Sequence, residues 1–184
     1  LNLFMVVELG DHSISVLDGD KFEAIHRFPT HFGLHGGIKY SSDGRYAFYI
    51  SRDGWVTKFD VYNLKIVGEV MAGLNSRNIA ISGDGRYLAV GNYLPKNLVV
   101  LDFNTLAPLK IIPGLDLNKE SSRISAVYTA PTRKSFIVAL KDVPEAWEIP
   151  YGDDAKTFYT GLVHDFKADS GEDLGIKNEK FPIR

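Results

Sequence analysis

A repeat of about 41 residues constrains the fold of this chain more than any other feature of its sequence. Residues 41–73 align with residues 82–114, and the match includes an Asp-Gly-Arg-Tyr sequence that begins at Asp43 and again at Asp84. This period is typical of the four-stranded blades of β-propellers. A β-sandwich would also contain many short strands, but it would not repeat one sequence at a fixed interval.

Each copy contains short β-rich segments separated by turn residues. The first full copy predicts strands at 37–41, 45–51, 55–60 and 65–71. Asp-Gly pairs between these segments favour tight hairpins, and no segment has sustained helical periodicity. We therefore predict an all-β chain built from four-stranded antiparallel propeller blades.

The number of copies predicts an incomplete ring. We expect one propeller domain over 1–184, with blades at about 1–30, 35–73, 76–114 and 122–160, and a loop at 161–184 leading into a further blade. The first copy is only partial, which gives about three and a half blades. Closed propellers typically have four to eight blades, so we expect about half of a ring.

Composition excludes several classes of function. The net charge of -2 gives no general attraction to nucleic acid, and no apolar run is long enough for a membrane-spanning helix. We do not interpret the apolar opening segment as a signal peptide. The absence of cysteine excludes disulfides and thiolate metal sites and leaves the cellular compartment open. The sequence contains no phosphate-binding loop, dinucleotide fingerprint or nucleophile elbow.

Alternating strand direction predicts which residues share a face. If strands a to d run from the propeller axis to the rim, the b–c turns and the d–a connections lie on one face, the near face. The a–b and c–d turns lie on the opposite, far face. Arg45 and Arg86 belong to a–b turns, so we expect solvated side chains on the far face.

The near face collects the candidate functional residues. Just before the predicted strands a, the sequence has His35-Gly36-Gly37 in one copy and polar segments containing Arg77 and Arg123 in the next two. The b–c turns contribute Arg52 and Tyr93. The candidate site residues around one mouth of the channel are therefore His35, Arg52, Arg77, Tyr93 and Arg123.

These residue types suit a flat, anionic, metal-containing ligand. Guanidinium groups bind carboxylates in a bidentate manner, and the imidazole of His35 can ligate a metal ion. Gly36 and Gly37 would let a bulky ligand approach the backbone, with Tyr93 and Trp55 available for further contacts. A metallotetrapyrrole with carboxylate side chains satisfies all of these features.

Structural roles remain open for each of these residues. His35 could be a hydrogen-bonding loop residue, Arg77 and Arg123 could pair with acids of neighbouring blades, and Tyr93 could pack against a turn. We expect His12 and His26 to lie on outer strands with structural roles. The chain as a whole could also be a protein-interaction propeller that binds no cofactor.

Three segments carry a family resemblance: "LHGGIKYSSDGRYAFYISRDGWVTKFDVYNLKIVGEV", "SRNIAISGDGRYLAVGNYLPKNLVVLD" and "SSRISAVYTAPTRKSFIVALKDVPEAWEI". The chain resembles haem d1 biosynthesis proteins of the NirF type, relatives of NirN and of the haem d1 domain of cytochrome cd1 nitrite reductase. The resemblance implies an eight-bladed propeller that binds haem d1 or a precursor on its axis.

The resemblance also implies roles for individual residues. His35 falls near the motif that supplies the proximal iron ligand, Arg52 matches an arginine near the haem carboxylates, and Arg77, Tyr93 and Arg123 match pocket positions. His164 resembles a distal histidine. The haem-attachment motif of the reductase's cytochrome c domain is absent, so we do not expect nitrite reduction.

The expected function is haem d1 biosynthesis, in which the protein binds haem d1 or a precursor and takes part in modifying its side chains. Whether it is an enzyme is left open, with an oxidoreductase or a lyase as the class considered. The alternative is a non-catalytic carrier or assembly scaffold for cytochrome cd1 nitrite reductase. The resemblance further implies the periplasm, a lipid anchor in the full-length protein, and the reductase or a NirN-like protein as partners, with a homodimer also considered.

Overall fold

The computed structural model describes residues 2–153 and 180–183. This part of the chain is almost entirely β-structure, apart from a short 3-10 turn at Pro131–Arg133. Within it, no helix is long and apolar enough to cross a membrane. The strands are β1 (Leu3–Glu8), β2 (Ser13–Asp18), β3 (Glu23–Pro29), β4 (Leu34–Tyr40), β5 (Tyr46–Ser51), β6 (Trp55–Asp60), β7 (Lys65–Met71), β8 (Asn75–Ile81), β9 (Tyr87–Leu94), β10 (Asn97–Asp102), β11 (Pro108–Pro113), β12 (Ile124–Ala130), β13 (Ser135–Leu140) and β14 (Ala146–Pro150).

The strands form four antiparallel sheets in which each strand pairs with its neighbours in sequence. We call them blade 1 (β1–β3), blade 2 (β4–β7), blade 3 (β8–β11) and blade 4 (β12–β14). Blades 2 and 3 have all four strands, and the described residues provide three each for blades 1 and 4. The predicted all-β fold of antiparallel propeller blades is therefore confirmed. Most of the predicted loop at 161–184 lies outside the described residues.

Apolar packing between successive sheets forms the core. Three buried clusters lie between blades 1 and 2, blades 2 and 3, and blades 3 and 4, centred on Phe59, Phe48 and Phe136 respectively. The middle strands β5 and β6 are buried along almost their whole length, because each is covered by a neighbouring blade on both faces. This packing holds successive blades side by side, so that the corresponding ends of their innermost strands are neighbours.

In blades 1–3, an aspartate at an equivalent position closes the turn after strand c, which is β2, β6 or β10. Oδ1 of Asp60 accepts hydrogen bonds from the backbone amides of Tyr62 and Asn63, both at 3.0 Å. Asp18 and Asp102 accept the equivalent hydrogen bonds from the backbone N–H groups of the residues two and three positions later. Asp60 is only 2% exposed. Burial opposes its ionisation, but bonds from Asn63 and Arg45 outweigh this effect and lower the pKa of its carboxyl.

Replacing Asp60 should destabilise the fold. Asp60→Ala removes an acceptor shared by two backbone amides and by the side chains of Asn63 and Arg45. We expect the free energy of unfolding to fall by about 1–3 kcal/mol, measured by urea denaturation. Glu23→Ala, at an exposed position, is the control and should change it by less than about 0.5 kcal/mol. Equal effects of the two variants would contradict a structural role for the repeated aspartate.

Candidate functional site

β-bulges interrupt the innermost strands of blades 2, 3 and 4 close to their near-face ends. The register of β4 shifts between His35 and Lys39, that of β8 shifts around Ser76, and that of β12 shifts just after Ile124. A bulge leaves residues unpaired, bends the strand and redirects its side chains. The three bulges therefore present irregular backbone at one end of three adjacent strands.

The bulges correct the predicted position of two site residues. His35 and Arg77 lie inside strands β4 and β8, and not in loops that precede them. The prediction was wrong because glycine and polar residues usually mark a loop, whereas here the strand pairing resumes on both sides of the irregular segment. Arg123 does lie directly before its strand and Arg52 in its b–c turn, as expected. Tyr93 was predicted in a b–c turn but lies within β9, because that strand continues to Leu94.

His35 connects the inner strands of blades 2 and 3. Its Nδ1 lies 2.8 Å from the backbone carbonyl oxygen of Arg77. A carbonyl oxygen can only accept, so Nδ1 carries the proton. In the neutral imidazole, Nε2 then keeps its lone pair, which is the form that binds a metal ion. A hydrogen bond from the other ring nitrogen to a carbonyl is the usual way in which metal-binding histidines are oriented.

The two glycines after His35 differ in their surroundings. Gly36 has φ of +77°, and a Cβ added there would lie 3.5 Å from the carbonyl oxygen of Arg77. Gly37 lies outside the left-handed region, and a Cβ added there would have no heavy atom within 4 Å. Gly36 is therefore required by the backbone conformation of the bulge, whereas Gly37 leaves open space beside His35.

The two glycines should respond differently to alanine. Gly36→Ala places a side chain in the left-handed region and should lower the free energy of unfolding by about 1–2 kcal/mol. Gly37→Ala meets no neighbour and should change it by less than about 0.5 kcal/mol. Thermal and urea unfolding of the two variants provide the comparison. A larger loss in Gly37→Ala would show that the bulge has a different backbone conformation.

Arg77, Tyr93 and Arg123 form a connected row across blades 3 and 4. The guanidinium carbons of Arg77 and Arg123 lie 4.5 and 5.0 Å from the centroid of the Tyr93 ring. Cations at these distances are attracted by the electrons of the ring. Because the carbonyl group of Arg77 also accepts the bond from His35, four of the five predicted site residues belong to one set of contacts.

The two arginines of this row differ in their electrostatic environment. Arg123 forms an ion pair with Asp142, with 2.5 Å between Nη2 and Oδ1, and the side-chain and backbone hydrogen bonds from Arg123 hold the pKa of Asp142 well below its usual range. Arg77 has no carboxylate partner among the described residues, and its buried Nε has no hydrogen-bond acceptor there. Pairing with an acid, the alternative considered for both arginines, therefore applies to Arg123 within its own blade.

Arg52 lies in the turn between β5 and β6, beside Gly33. It is exposed, and within the described part of the chain its guanidinium has no ion-pair partner. Together with His35, it lines a cavity of about 480 Å³ between blades 1 and 2, whose other walls are Val7, Leu9, Gly33, Leu34 and Gly36. Arg52 is thus placed to meet a ligand group near His35 without contacting the Tyr93 row.

Trp55, Arg45 and Arg86 each have a side-chain partner. Trp55, considered above as a ligand contact, stacks on the His31 ring with 4.6 Å between ring centroids. Arg45 pairs with Asp60, and Arg86 pairs with Asp84 and Asp153, so these arginines are bound in ion pairs and are not simply solvated turn residues.

The remaining histidines have separate positions. His26 lies on β3, as expected, and its ring stacks with Phe28 at 5.5 Å between centroids. His12 lies in the turn between β1 and β2, and not on an outer strand, because its positive φ of 53° belongs to that turn. His164 lies outside the described residues.

Asn75 and Asn78 were missed by the sequence reasoning. Their side-chain oxygens are buried without a hydrogen-bond partner among the described residues, as is Nε of Arg77 on the same strand. A buried polar atom without a partner usually indicates a bound group or water that completes its bonding. The available signal was their position in the sequence, since both asparagines lie within two residues of Arg77 at the start of an inner strand.

These features define a class of site. Near the ends of blades 2–4, an available imidazole nitrogen on β4 and open space over a glycine combine with an aromatic ring on β9. Two arginines, on β8 and in the β5–β6 turn, have no carboxylate partner among the described residues. Such a site fits a flat ligand that carries both a metal ion and carboxylates. The molecule is thus a set of propeller blades with a basic, aromatic site at the near-face end of their innermost strands.

The chain belongs to the cytochrome D1 heme domain family, whose model matches residues 1–178. It is 62% identical over 151 residues to the dihydro-heme d1 dehydrogenase of Pseudomonas aeruginosa, with 82% of this chain and 31% of that protein covered. It is 36% identical over 152 residues to the protein NirF of the same organism, with 79% and 38% covered. The chain therefore spans about a third of the length of these curated relatives.

Solved structures agree with the sequence comparison. A structure described as dihydro-heme d1 dehydrogenase NirN in complex with DHE matches with a TM-score of 0.81 and 61% identity, over 83% of this chain and 33% of that one. A β-propeller domain from Myceliophteria thermophila matches with a TM-score of 0.64 and 14% identity, over 76% of this chain and 47% of that one, and shows the fold alone. The family expected from sequence is confirmed, but the resemblance to NirF in particular is weaker than that to NirN.

Proposed function

We propose that this chain supplies four blades of a propeller that binds haem d1 or its dihydro precursor at the near face. The proposal is supported by the geometry of His35, whose bond to the Arg77 carbonyl leaves Nε2 as the nitrogen available to iron. The bulge beside it contains Gly37, over which there is open space. The family match and the relative described in complex with DHE agree with a tetrapyrrole ligand.

The arginines would hold the carboxylates of the macrocycle. Arg77 and Arg52 have no carboxylate partner among the described residues and can each form a charge-assisted pair with a ligand carboxylate. Arg123 can bind a ligand carboxylate only by sharing its guanidinium with Asp142. Tyr93 would orient both Arg77 and Arg123 through its ring. We therefore assign the main binding role to Arg77 and Arg52, and a supporting role to Arg123.

We further propose that the whole protein is an oxidoreductase that dehydrogenates a haem d1 precursor. Its support is the 62% identity to a dihydro-heme d1 dehydrogenase, against 36% to NirF. Dehydrogenation removes two electrons and two protons and requires an electron acceptor, and the iron and ring of the bound tetrapyrrole supply the redox chemistry. The residues of this chain would bind and orient the macrocycle. Incubating the full-length protein with dihydro-haem d1 and an electron acceptor should yield haem d1, whereas a carrier would return the precursor unchanged.

The ligand role of His35 can be tested by spectroscopy. In the full-length protein, His35→Ala should abolish or shift the Soret band of bound haem d1, because it removes the nitrogen that ligates iron. His26→Ala is the matched control, since His26 stacks on Phe28 in the outer strand of blade 1. An unchanged spectrum in the His35 variant would refute the assignment and direct attention to His31 or His164.

The binding role of Arg77 can be tested by titration with haem d1. A charge-assisted pair contributes about 1.5–3 kcal/mol, so Arg77→Ala should weaken binding by roughly tenfold to a hundredfold without loss of folding. Arg133→Ala is the control, because Arg133 lies in the a–b turn of blade 4 on the far face, paired with Glu148. If both variants bound equally weakly, the site would not lie on the near face.

The cellular setting is part of the same proposal. We propose a periplasmic location, a lipid anchor, cytochrome cd1 nitrite reductase as a partner and a homodimer. The support for these four properties is the family resemblance alone. Fractionation of cells and co-purification of the full-length protein would test them.

A further inference from the structure

The connection between blades 1 and 2 leads directly into His35. It runs from Thr30 to Gly33, and His35 follows two residues later within β4. Gly33 has φ of +59°, a conformation that glycine adopts easily but without a strong preference for it. The direction in which the chain enters β4 therefore depends on contacts made by neighbouring residues.

His12 provides three of these contacts from the β1–β2 turn of blade 1. Its Nδ1 accepts a hydrogen bond from the backbone N–H of Gly33 at 3.3 Å. Its ring packs against Phe32 with 4.9 Å between centroids, and its carbonyl oxygen accepts the N–H of Thr30 at 2.7 Å. One side chain and its own backbone thus hold both ends of the connection.

Contacts from blade 2 hold the remainder of this connection. The backbone N–H of Arg52 donates to the carbonyl oxygens of Phe32 and Gly33, at 3.2 and 3.0 Å. His31 stacks on Trp55, and its Nε2 lies 3.1 Å from Oε1 of Glu69. These contacts do not involve the N–H of Gly33. Loss of the His12 side chain would therefore free the Gly33 amide while the rest of the connection stays attached.

We propose that His12 is a positioning residue for the ligand-binding histidine. By accepting the N–H of Gly33, the His12 imidazole fixes the peptide that sets the path of the chain into His35. The inference rests on the proposed function, in which His35 binds the iron of a tetrapyrrole. His12 itself has no contact with His35 among the described contacts and acts through the backbone between them.

Two substitutions separate positioning from general support of the fold. His12→Ala removes both the acceptor and the ring. His12→Asn keeps an acceptor oxygen at the same distance along the side chain as Nδ1, and asparagine tolerates the positive φ of 53° at this position. His26→Ala is the matched control, because it removes a histidine of the same blade that also stacks on a phenylalanine but does not contact the connection.

The experiment combines hydrogen exchange with a titration of haem d1 into the full-length protein. His12→Ala should increase the exchange of the peptide containing Gly33. It should also shift the Soret band and weaken haem d1 binding by about tenfold or more, the usual effect of removing a group that orients a metal ligand. His12→Asn should restore the exchange, the band position and most of the affinity, and His26→Ala should resemble the unmodified protein.

Two other outcomes would overturn the inference in distinguishable ways. If His35→Ala changes the spectrum but His12→Ala leaves band and affinity unchanged, the ligand assignment stands and His12 has no positioning role. The same conclusion follows if His12→Ala weakens binding and His12→Asn does not restore it. If His35→Ala itself has no effect on the spectrum, the ligand assignment fails, and the role inferred for His12 fails with it.

Discussion

Apolar packing between neighbouring blades is the interaction on which the rest of this structure depends. No single sheet of three or four strands can cover both of its own faces, so each blade is stabilised by the next. Phe59, Phe48 and Phe136 mark the centres of three such interfaces, and the middle strands between them are almost fully buried. This packing brings the innermost strands together, and only for that reason can side chains from three blades share one site.

At the near-face ends of the inner strands, β-bulges and polar contacts form the candidate site on top of this apolar core. Register shifts also occur between β2 and β3, β6 and β7, and β10 and β11, but those in β4, β8 and β12 lie at the near-face ends of the innermost strands. At two of these bulges, His35 Nδ1 donates a hydrogen bond to the backbone carbonyl of Arg77 in the next blade, a contact that no regular ladder provides. The core thus fixes the position of the strand ends, and the bulges determine which atoms the candidate site presents.

The repeat allowed much of this arrangement to be predicted. Strand direction follows from the turns, so the sequence placed Arg52 and Tyr93 on the same face as His35, and the structure brings four of the five residues into contact. The bulges could not be predicted, because strand pairing that resumes after an interruption leaves no periodic signal. The environment of each arginine was also inaccessible, since Arg123 and Asp142 are 19 residues apart and their pairing depends on the blade fold. The role of His12 was inaccessible for a similar reason, because its contact with Gly33, 21 residues away, depends on how the blades pack.

The row formed by Arg77, Tyr93 and Arg123 has a consequence for how a ligand reaches the site. Asp142 neutralises Arg123, so the row presents one uncompensated positive charge although it contains two guanidinium groups. Arg77, and Arg52 in the β5–β6 turn, are the two arginines of the candidate set whose charge no carboxylate offsets among the described residues. At physiological ionic strength their attraction for an anion extends only about 8 Å into solvent. An anion would thus be attracted by guanidinium groups of two different blades, Arg52 of blade 2 and Arg77 of blade 3.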